Sequence, residues 1–178
     1  LPSLSETEQE AIDAGTVWWE GELFSGDPNW EKLLSMGPPT LSSEEQAFIN
    51  GSVEELCQMV DSWKVNYEWA DIPEEVVEFI KREKFLGIII PKEYGGLDLS
   101  ASAQVAVLGK MFGVSSVVAN FISVPNSLGP AELLLKYGTD EQKQLYLPRL
   151  ANGQEIPCFA LTAPLAGSDA TSIPDAGI

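Results

Sequence analysis

A helix-start signal that recurs along the chain constrains its fold more than any other feature. In this signal a Ser or Thr side chain accepts the backbone N–H three residues later, and a Glu or Gln at that position reaches back to the first N–H. It occurs at Ser5–Glu8, Ser42–Glu45, Ser52–Glu55 and Thr139–Gln142. We therefore predict an all-α fold, a bundle of about six to eight helices, with one short strand near the C-terminus.

Helical periodicity between these signals gives the expected limits of the helices. The second signal opens a helix to about Ala70, and we expect Gly51-Ser52 to interrupt it, with Ser52 capping its second part. Apolar residues at helical spacing predict its buried face: Leu56, Met59, Val60 and Trp63. Further helices are predicted to begin at Asp71–Glu74, Ser100, Ser115 or Ser116 and Thr139, and to end near Lys84, Phe112, Val124 and Ala151. After a break at Pro125–Pro130, Leu133–Tyr137 is predicted to be helical, with Gly138 as its C-terminal cap.

Two of these helices, over residues 101–112 and 116–124, are apolar nearly all round. Such helices belong to the interior of a bundle, and we expect both to be buried there. An apolar run, Phe85–Pro91, comes before them. Periodicity alone favours a strand, but a strand needs a partner and no second candidate lies nearby. We therefore predict a buried extended loop, followed by a turn at Tyr94–Gly96.

Residues 1–40 are expected to form a helical extension. One helix is predicted from the Ser5 signal to about Glu20, and a second from Asp27 as N-cap to Met36, ended by the following Gly-Pro-Pro. Aromatic residues predict that this extension is fastened to the body as part of its core: Trp18, Trp19 and Trp30.

Composition excludes several classes of function. The net charge is −17, from 27 acidic and 10 basic residues, which argues against nucleic acid and anionic membrane surfaces as partners. The chain has no His, so it holds no Ser–His or Cys–His nucleophile pair and no His-ligated zinc; we predict no metal site. Cys57 and Cys158 lie in apolar contexts, and we expect two free, buried thiols of a cytoplasmic protein.

Adjacent carboxylates occur at Glu44-Glu45, Glu54-Glu55 and Glu74-Glu75. Neighbouring residues on a helix do not face each other, so these pairs are poor acid–base dyads. All three pairs fall in predicted first turns, where acidic side chains offset the helix dipole.

No apolar run is long enough for a membrane span. Because the chain begins without Met, we expect it to be a piece of a longer protein. Whether a membrane anchor precedes Leu1 is an open question at this point.

The stretch Ile156–Asp169 is the candidate site, because the chain changes character there. A short apolar run, Cys158–Leu161, reads as a buried strand that enters a polar loop. Thr162 and Ser168 supply hydroxyls, and Gly167 lets backbone approach a ligand. Together they suit a polar ring edge and a phosphate. An ordinary exit from a strand into a loop accounts for the same residues.

Three stretches resemble the acyl-CoA dehydrogenase family, in that family's order and spacing. Cys158–Asp169, which reads Cys-Phe-Ala-Leu-Thr-x-Pro-x-Ala-Gly-Ser-Asp, resembles its flavin-contacting signature. Gly87–Leu97 is similar to the family's first-domain loop, and Tyr137–Leu150 to the helix that leads into the signature. The resemblance covers residues 42–178, and the head, Glu6–Pro39, resembles the large proteobacterial members that act in fatty-acid β-oxidation.

This resemblance implies a division into an extension over 1–41, the family's N-terminal helical domain over 42–155, and the start of its middle β-domain over 156–178. It implies an FAD enzyme that takes a proton from the α carbon of a medium- or long-chain acyl-CoA and a hydride from the β carbon. The catalytic base is then a Glu beyond Ile178, so this chain alone is expected to be inactive. An electron-transfer acceptor and a homo-oligomeric enzyme are also implied.

The resemblance assigns site residues one by one. Phe159, Leu161 and Thr162 are expected to line the flavin ring, and Ser168 to reach phosphate or substrate. A second set matches a segment that helps to wall the acyl pocket: Asn126, Ser127 and Leu128. Ala163 departs from the family's usual Glu, which removes a carboxylate but leaves the Thr162 hydroxyl in place. An acyl-CoA oxidase and a non-catalytic helical lipid-binding or interaction module stay open as alternatives.

Overall fold

The computed structural model describes residues 19–127, 129–158 and 162. The chain divides into two compact units, Leu1–Thr40 and Leu41–Ile178. The first contains α1 (Trp30–Ser35), and the second contains α2 (Ser43–Phe48), α3 (Glu54–Met59), α4 (Glu74–Arg82), α5 (Ala101–Val114), α6 (Ser116–Asn126), α7 (Pro130–Tyr137) and α8 (Asp140–Ala151). Every regular element among the described residues is a helix, which confirms the all-α prediction. The predicted strand lies outside them, apart from Cys158.

Described residues of the first unit form a 3₁₀ segment, Trp19–Ser25, and then α1. The N-cap of α1 is Asn29, whose Oδ1 accepts the Lys32 N–H at 2.9 Å, so the prediction of Asp27 was wrong. Asn and Asp are equally good N-cap residues, so the residue type does not decide between Asp27 and Asn29. The Trp19 indole N–H donates to the Asn29 carbonyl at 2.8 Å and so helps to place Asn29 at the start of the helix. Trp30 stacks on Trp19 at 5.1 Å between ring centroids but is 55% exposed, so it is not a core residue.

The predicted break at Gly51-Ser52 is wrong. A π-helical turn, Ile49–Val53, carries the chain from α2 into α3 without interruption. Ser52 caps nothing; its hydroxyl donates to Glu83 Oε2 at 2.9 Å and so ties the turn to the end of α4. The helix breaks instead at Val60, where the backbone is extended (φ −92°, ψ 111°).

The break at Val60 also explains a wrong burial prediction. A fresh helical stretch begins after Asp61, whose side chain accepts the Lys64 N–H at 3.1 Å, and continues as a π-helical turn, Lys64–Glu68. Because the break resets the rotation of the helix, Val65 faces the core and Trp63 does not. Trp63 is 65% exposed and stacks on Tyr67, with 4.4 Å between ring centroids.

Four helices begin as predicted. Ser42 with Glu45 and Thr139 with Gln142 each form a reciprocal capping box at the start of α2 and α8. Ser100 and Ser115 accept backbone N–H groups at the start of α5 and α6. Each cap satisfies backbone donors that the first turn of a helix leaves free.

The loop Phe85–Pro91 is buried and is not a strand, as predicted, but the prediction that it is extended is wrong for its first part: Phe85–Gly87 form a 3₁₀ turn, and Ile88 is also helical (φ −56°, ψ −44°). Its side chains enter two hydrophobic clusters. Phe85, Leu86 and Ile88 join the larger cluster, built from α2 to α6, while Ile90 joins a smaller one with Ala131, Leu147, Leu150 and Ala151. The loop therefore links α7 and α8 to the main bundle.

The expectation that α5 and α6 are interior helices is wrong for one side of each. Val107, Met111, Val118 and Ile122 are buried in the main cluster. Val105, however, is 71% exposed, and Phe112 and Val117 are exposed as well. A helix with apolar residues on every side can therefore still have one side exposed to solvent.

Glu45 joins the beginnings of two helices. Its Oε2 accepts the Ser42 N–H at 2.7 Å, and its Oε1 accepts the Ser100 N–H at 2.8 Å. Hydrogen bonds from Ser100, and then from the backbone of Ser42, lower the pKa of Glu45 from 4.5 to about 2. The charged carboxylate is therefore the form that the folded protein stabilises.

We expect Glu45→Gln to lower the midpoint of urea unfolding at pH 7, because an amide offers one acceptor oxygen where the carboxylate offers two. A lowered folded-state pKa contributes stability that is present above pH 4.5 and is lost as the pH falls towards 2. The variant should therefore lose less stability than the wild type over that interval. The control is Glu44→Gln, which removes only an exposed ion pair with Lys92; equal losses in both variants would contradict the prediction.

Gly96 leaves no room for a side chain. A Cβ there would lie 2.0 Å from the Ile90 carbonyl oxygen, which is backbone and cannot rotate away. We expect Gly96→Ala to destabilise the protein by about 2 kcal/mol, measured by urea unfolding. In Gly109→Ala the new Cβ meets nothing within 4 Å in α5, so this control should gain about 1 kcal/mol. An equal change in the free energy of unfolding of both variants would show that the contact between Gly96 and the Ile90 carbonyl leaves room for a methyl group.

Candidate functional site

Two apolar grooves flank residues 156–158, immediately before the candidate signature. One has a volume of about 350 Å³ and is lined by Pro130, Leu134, Tyr146, Leu150, Glu155, Ile156 and Pro157. The other has a volume of about 340 Å³ and is lined by Asn120, Phe121, Val124, Ile156, Pro157 and Cys158. Because Ile156 and Pro157 line both, we call them together the paired groove. Its walls come from α6, α7 and α8.

The end of α8 directs the chain along this groove. Gly153 has a left-handed backbone (φ 71°), which favours glycine. The Gln154 and Glu155 N–H groups both donate to the Arg149 carbonyl, at 2.9 and 3.2 Å. The Arg149 guanidinium also pairs with the Glu155 carboxylate at 2.9 Å. These bonds fold the chain back over α8, so that Ile156 lies beside Tyr146 and Leu150.

The lining of the paired groove suits an apolar ligand. Its carboxylate, Glu155, is already paired with Arg149, and its other side chains are apolar apart from Asn120 and the ends of Tyr146 and Cys158. No basic residue follows Arg149 in the sequence. The groove therefore offers contact area to a hydrocarbon chain and little attraction to a phosphate.

Within the described part of the chain, no cluster of three or more His, Cys, Asp or Glu residues suits a metal ion, and no helix is long and apolar enough to cross a membrane.

The structure describes some of the predicted site residues. Of the four assigned to the flavin, Thr162 is described and is exposed. The other three, Phe159, Leu161 and Ser168, lie outside the described residues. Of the three assigned to the acyl pocket, Ser127 is half-buried and Asn126 fully buried, and Leu128 lies outside the described residues.

Sequence reasoning missed most of the groove itself. Phe121, Val124, Leu134 and Tyr146 were predicted only as apolar or helical positions, because helical spacing does not distinguish a groove wall from a core. The matched segment at Asn126 was the available signal, since Val124 lies shortly before it and Pro130 shortly after it.

Both cysteines are free, but Cys158 is exposed at the edge of the groove, so the prediction that it is buried was wrong. The chain passes over the surface there, and Cys158 is not covered by α6. Cys57 is half-buried, with its Sγ 3.7 Å from Met111 Sδ. Burial raises the pKa of the Cys57 thiol.

This difference predicts unequal reactivity of the two thiols towards a thiol-specific reagent such as Ellman's reagent. Cys158 should react at least about tenfold faster than Cys57, because only the accessible thiolate attacks. Comparing Cys57→Ala with Cys158→Ala at pH 8 assigns the two phases. Equal rates in the folded protein would contradict the placement of Cys158 at an open groove.

The sequence and the fold of this chain are similar to those of known proteins. The sequence model described as acyl-CoA dehydrogenase, N-terminal domain, matches residues 43–154. A 3-(aryl)acrylate reductase of Clostridium sporogenes is 37% identical over 126 residues, 71% of this chain and 32% of the reductase. The mitochondrial very long-chain specific acyl-CoA dehydrogenase of Mus musculus is 33% identical over 182 residues, 100% of this chain and 27% of that enzyme.

Among solved structures, the crystal structure of an acyl-CoA dehydrogenase from Geobacillus kaustophilus matches with a TM-score of 0.64 and 26% identity. The match covers 77% of this chain and 36% of that one. The chain thus spans about a third or less of the length of the two curated relatives above. Its described helices correspond to one portion of a larger protein fold.

Proposed function

This chain belongs to the acyl-CoA dehydrogenase family, and we propose that it is the N-terminal part of an FAD-dependent enzyme that dehydrogenates medium- or long-chain fatty acyl-CoA in β-oxidation. The observation that carries the proposal is the extent of one match. The very long-chain specific enzyme of Mus musculus aligns with the whole of this chain, head included, whereas the family's domain model covers residues 43–154. A likeness that includes the head favours the long-chain members.

The paired groove supports a long apolar substrate. Burial of each CH₂ group contributes roughly 0.8 kcal/mol, so a groove lined by Leu134, Leu150 and Ile156 favours longer acyl chains. The groove has little positive charge to attract the CoA phosphates, and residues beyond this chain are expected to hold them. Val124 and Phe121 line the half nearest to Cys158 and so lead towards the signature.

Residues of the signature are proposed to hold the cofactor. When bound, FAD accepts the hydride that leaves the substrate. The exposed Thr162 supplies a hydroxyl and a backbone N–H that suit the polar edge of a flavin, where donors are most effective if negative charge develops there. Phe159 and Leu161 are proposed to line the ring and Ser168 to reach phosphate or substrate. The base that takes the α proton is proposed to lie beyond this chain.

A second candidate is the opposite reaction, in which a hydride and a proton are added to the C=C bond of an α,β-unsaturated substrate. The observation that favours it is the 37% identity with a 3-(aryl)acrylate reductase. An aromatic substrate would fill a short, wide pocket rather than an extended groove. Oxidation is preferred because the reductase matches 71% of this chain and the long-chain enzyme all of it.

The test uses the full-length enzyme that contains this chain, purified with its flavin. Hexadecanoyl-CoA should bleach the flavin absorbance and reduce an artificial acceptor, whereas the 178-residue chain alone should do neither. An electron-transfer protein as acceptor and a homo-oligomeric enzyme are part of the same proposal. Oxidation of the chemically reduced flavin by a 3-arylacrylate, with no reaction of any saturated acyl-CoA, would favour the second candidate.

We expect Thr162→Val in that enzyme to fold normally but to bind flavin more weakly or to be reduced about 10²-fold more slowly, since one hydroxyl donor is lost. Flavin content and single-turnover reduction by hexadecanoyl-CoA are the measurements. Thr40→Val makes the same chemical change at an exposed position outside the signature and is the control. Wild-type flavin content and reduction rate in Thr162→Val would remove Thr162 from the site.

A further inference from the structure

Asn126 is a buried polar residue at the end of α6, 1% exposed, and its side chain bonds entirely within the protein. Its Nδ2 donates to the Phe85 carbonyl at 2.6 Å and to the Ile122 carbonyl at 2.9 Å. Its Oδ1 accepts the Ile89 N–H at 3.4 Å. Both amide hydrogens are used, so this side chain joins α6 to the loop Phe85–Pro91 and has no donor left for a ligand.

A third element reaches the same residue from α5. The Gln104 side-chain amide donates to the Asn126 carbonyl, which stands at the end of α6, where the helix provides no donor. α5, α6 and the buried loop therefore meet at Asn126. Removing one partner leaves a buried polar group unsatisfied, which shifts the backbone around it rather than one side chain alone.

Gly129, which precedes α7, packs closely against the end of α6. A Cβ there would lie 2.7 Å from the Pro125 carbonyl oxygen and 2.9 Å from that of Val124. Val124 lines the half of the groove beside Cys158, and Pro130 lines the other half. Asn126 lies between them in the sequence and lines neither half.

We propose that Asn126, held by Gln104, is a positioning residue that sets the acyl chain-length preference of the enzyme. The inference rests on the proposed function and deepens it. Asn126 acts through the backbone of α6 and of Gly129, not by contact with substrate. When this bond network is lost, the walls at Val124 and Pro130 shift, and a shift of the order of 1 Å is enough to change transition-state positioning about 10²-fold.

The test compares three variants of the full-length enzyme. Asn126→Ala removes the side-chain bonds, and Gln104→Met keeps the size of the side chain but loses its donor. Val65→Ala is the control, because it shortens a core side chain that lines neither half of the paired groove. Measurements are flavin content, melting temperature, kcat/KM for butanoyl-, octanoyl- and hexadecanoyl-CoA, and hydrogen exchange of peptides over 85–91 and 123–130.

The proposal expects the ratio of kcat/KM for hexadecanoyl-CoA to that for butanoyl-CoA to change by about tenfold in Asn126→Ala and Gln104→Met, but not in Val65→Ala. Hydrogen exchange should rise over 85–91 and 123–130 in these two variants alone. An unchanged ratio, or the same change in all three variants, overturns the inference even if each variant is less stable. If Asn126→Ala does not fold, Gln104→Met decides.

Failure of the proposed function gives a different result. A flavin-loaded wild type that oxidises none of the three acyl-CoA substrates overturns the proposed function and this inference with it. A wild type that oxidises them, with Asn126→Ala and Gln104→Met keeping its substrate ratio, overturns the inference alone.

Discussion

A buried stretch of chain outside α-helices and strands has to find a partner for each backbone polar group, and Phe85–Pro91 imposes this demand on the structure. The following segment supplies part of the answer: Leu97, Asp98 and Leu99 N–H groups donate to the carbonyls of Gly87, Ile90 and Ile88, each at 2.9 Å. Asn126 supplies two more partners from α6, a donor for the Phe85 carbonyl and an acceptor for the Ile89 N–H. The arrangement also requires bare backbone, because Gly87 lies against Ala151 and Gly96 against Ile90.

Most of the helix starts that are decided within one helical turn could be read from the sequence, although the caps predicted at Asp27 and Ser52 were wrong. The caps at Ser42, Ser100, Ser115 and Thr139 depend on residues three positions apart, and all four are present. Trp63 could not be placed, because its direction depends on where the preceding helix stops. A π-helical turn and the break at Val60 both change that rotation, and neither leaves a distinct mark in the hydrophobic pattern.

The candidate site also has a part that the sequence predicted and a part that it did not. The order and spacing of three motifs were sufficient to indicate the family, and the N-terminal domain match confirms it. The paired groove was not predictable, since Leu134 and Tyr146 come from different helices and meet only after packing. Asn126 was singled out by resemblance as part of a pocket wall, yet its bonds run to Phe85 and Ile89, which no local pattern connects to it.

Those bonds also bear on the order in which the chain folds. Asn126 and its partners in the loop are separated by 37 and 41 residues, whereas each helix cap closes within a few residues. Closing a long loop costs more chain entropy than closing a short one, so contacts at such separation form after local ones. Since these two bonds require α6 beside the loop Phe85–Pro91, we infer that they form late in folding, after the bonds from Leu97–Leu99 to the same loop.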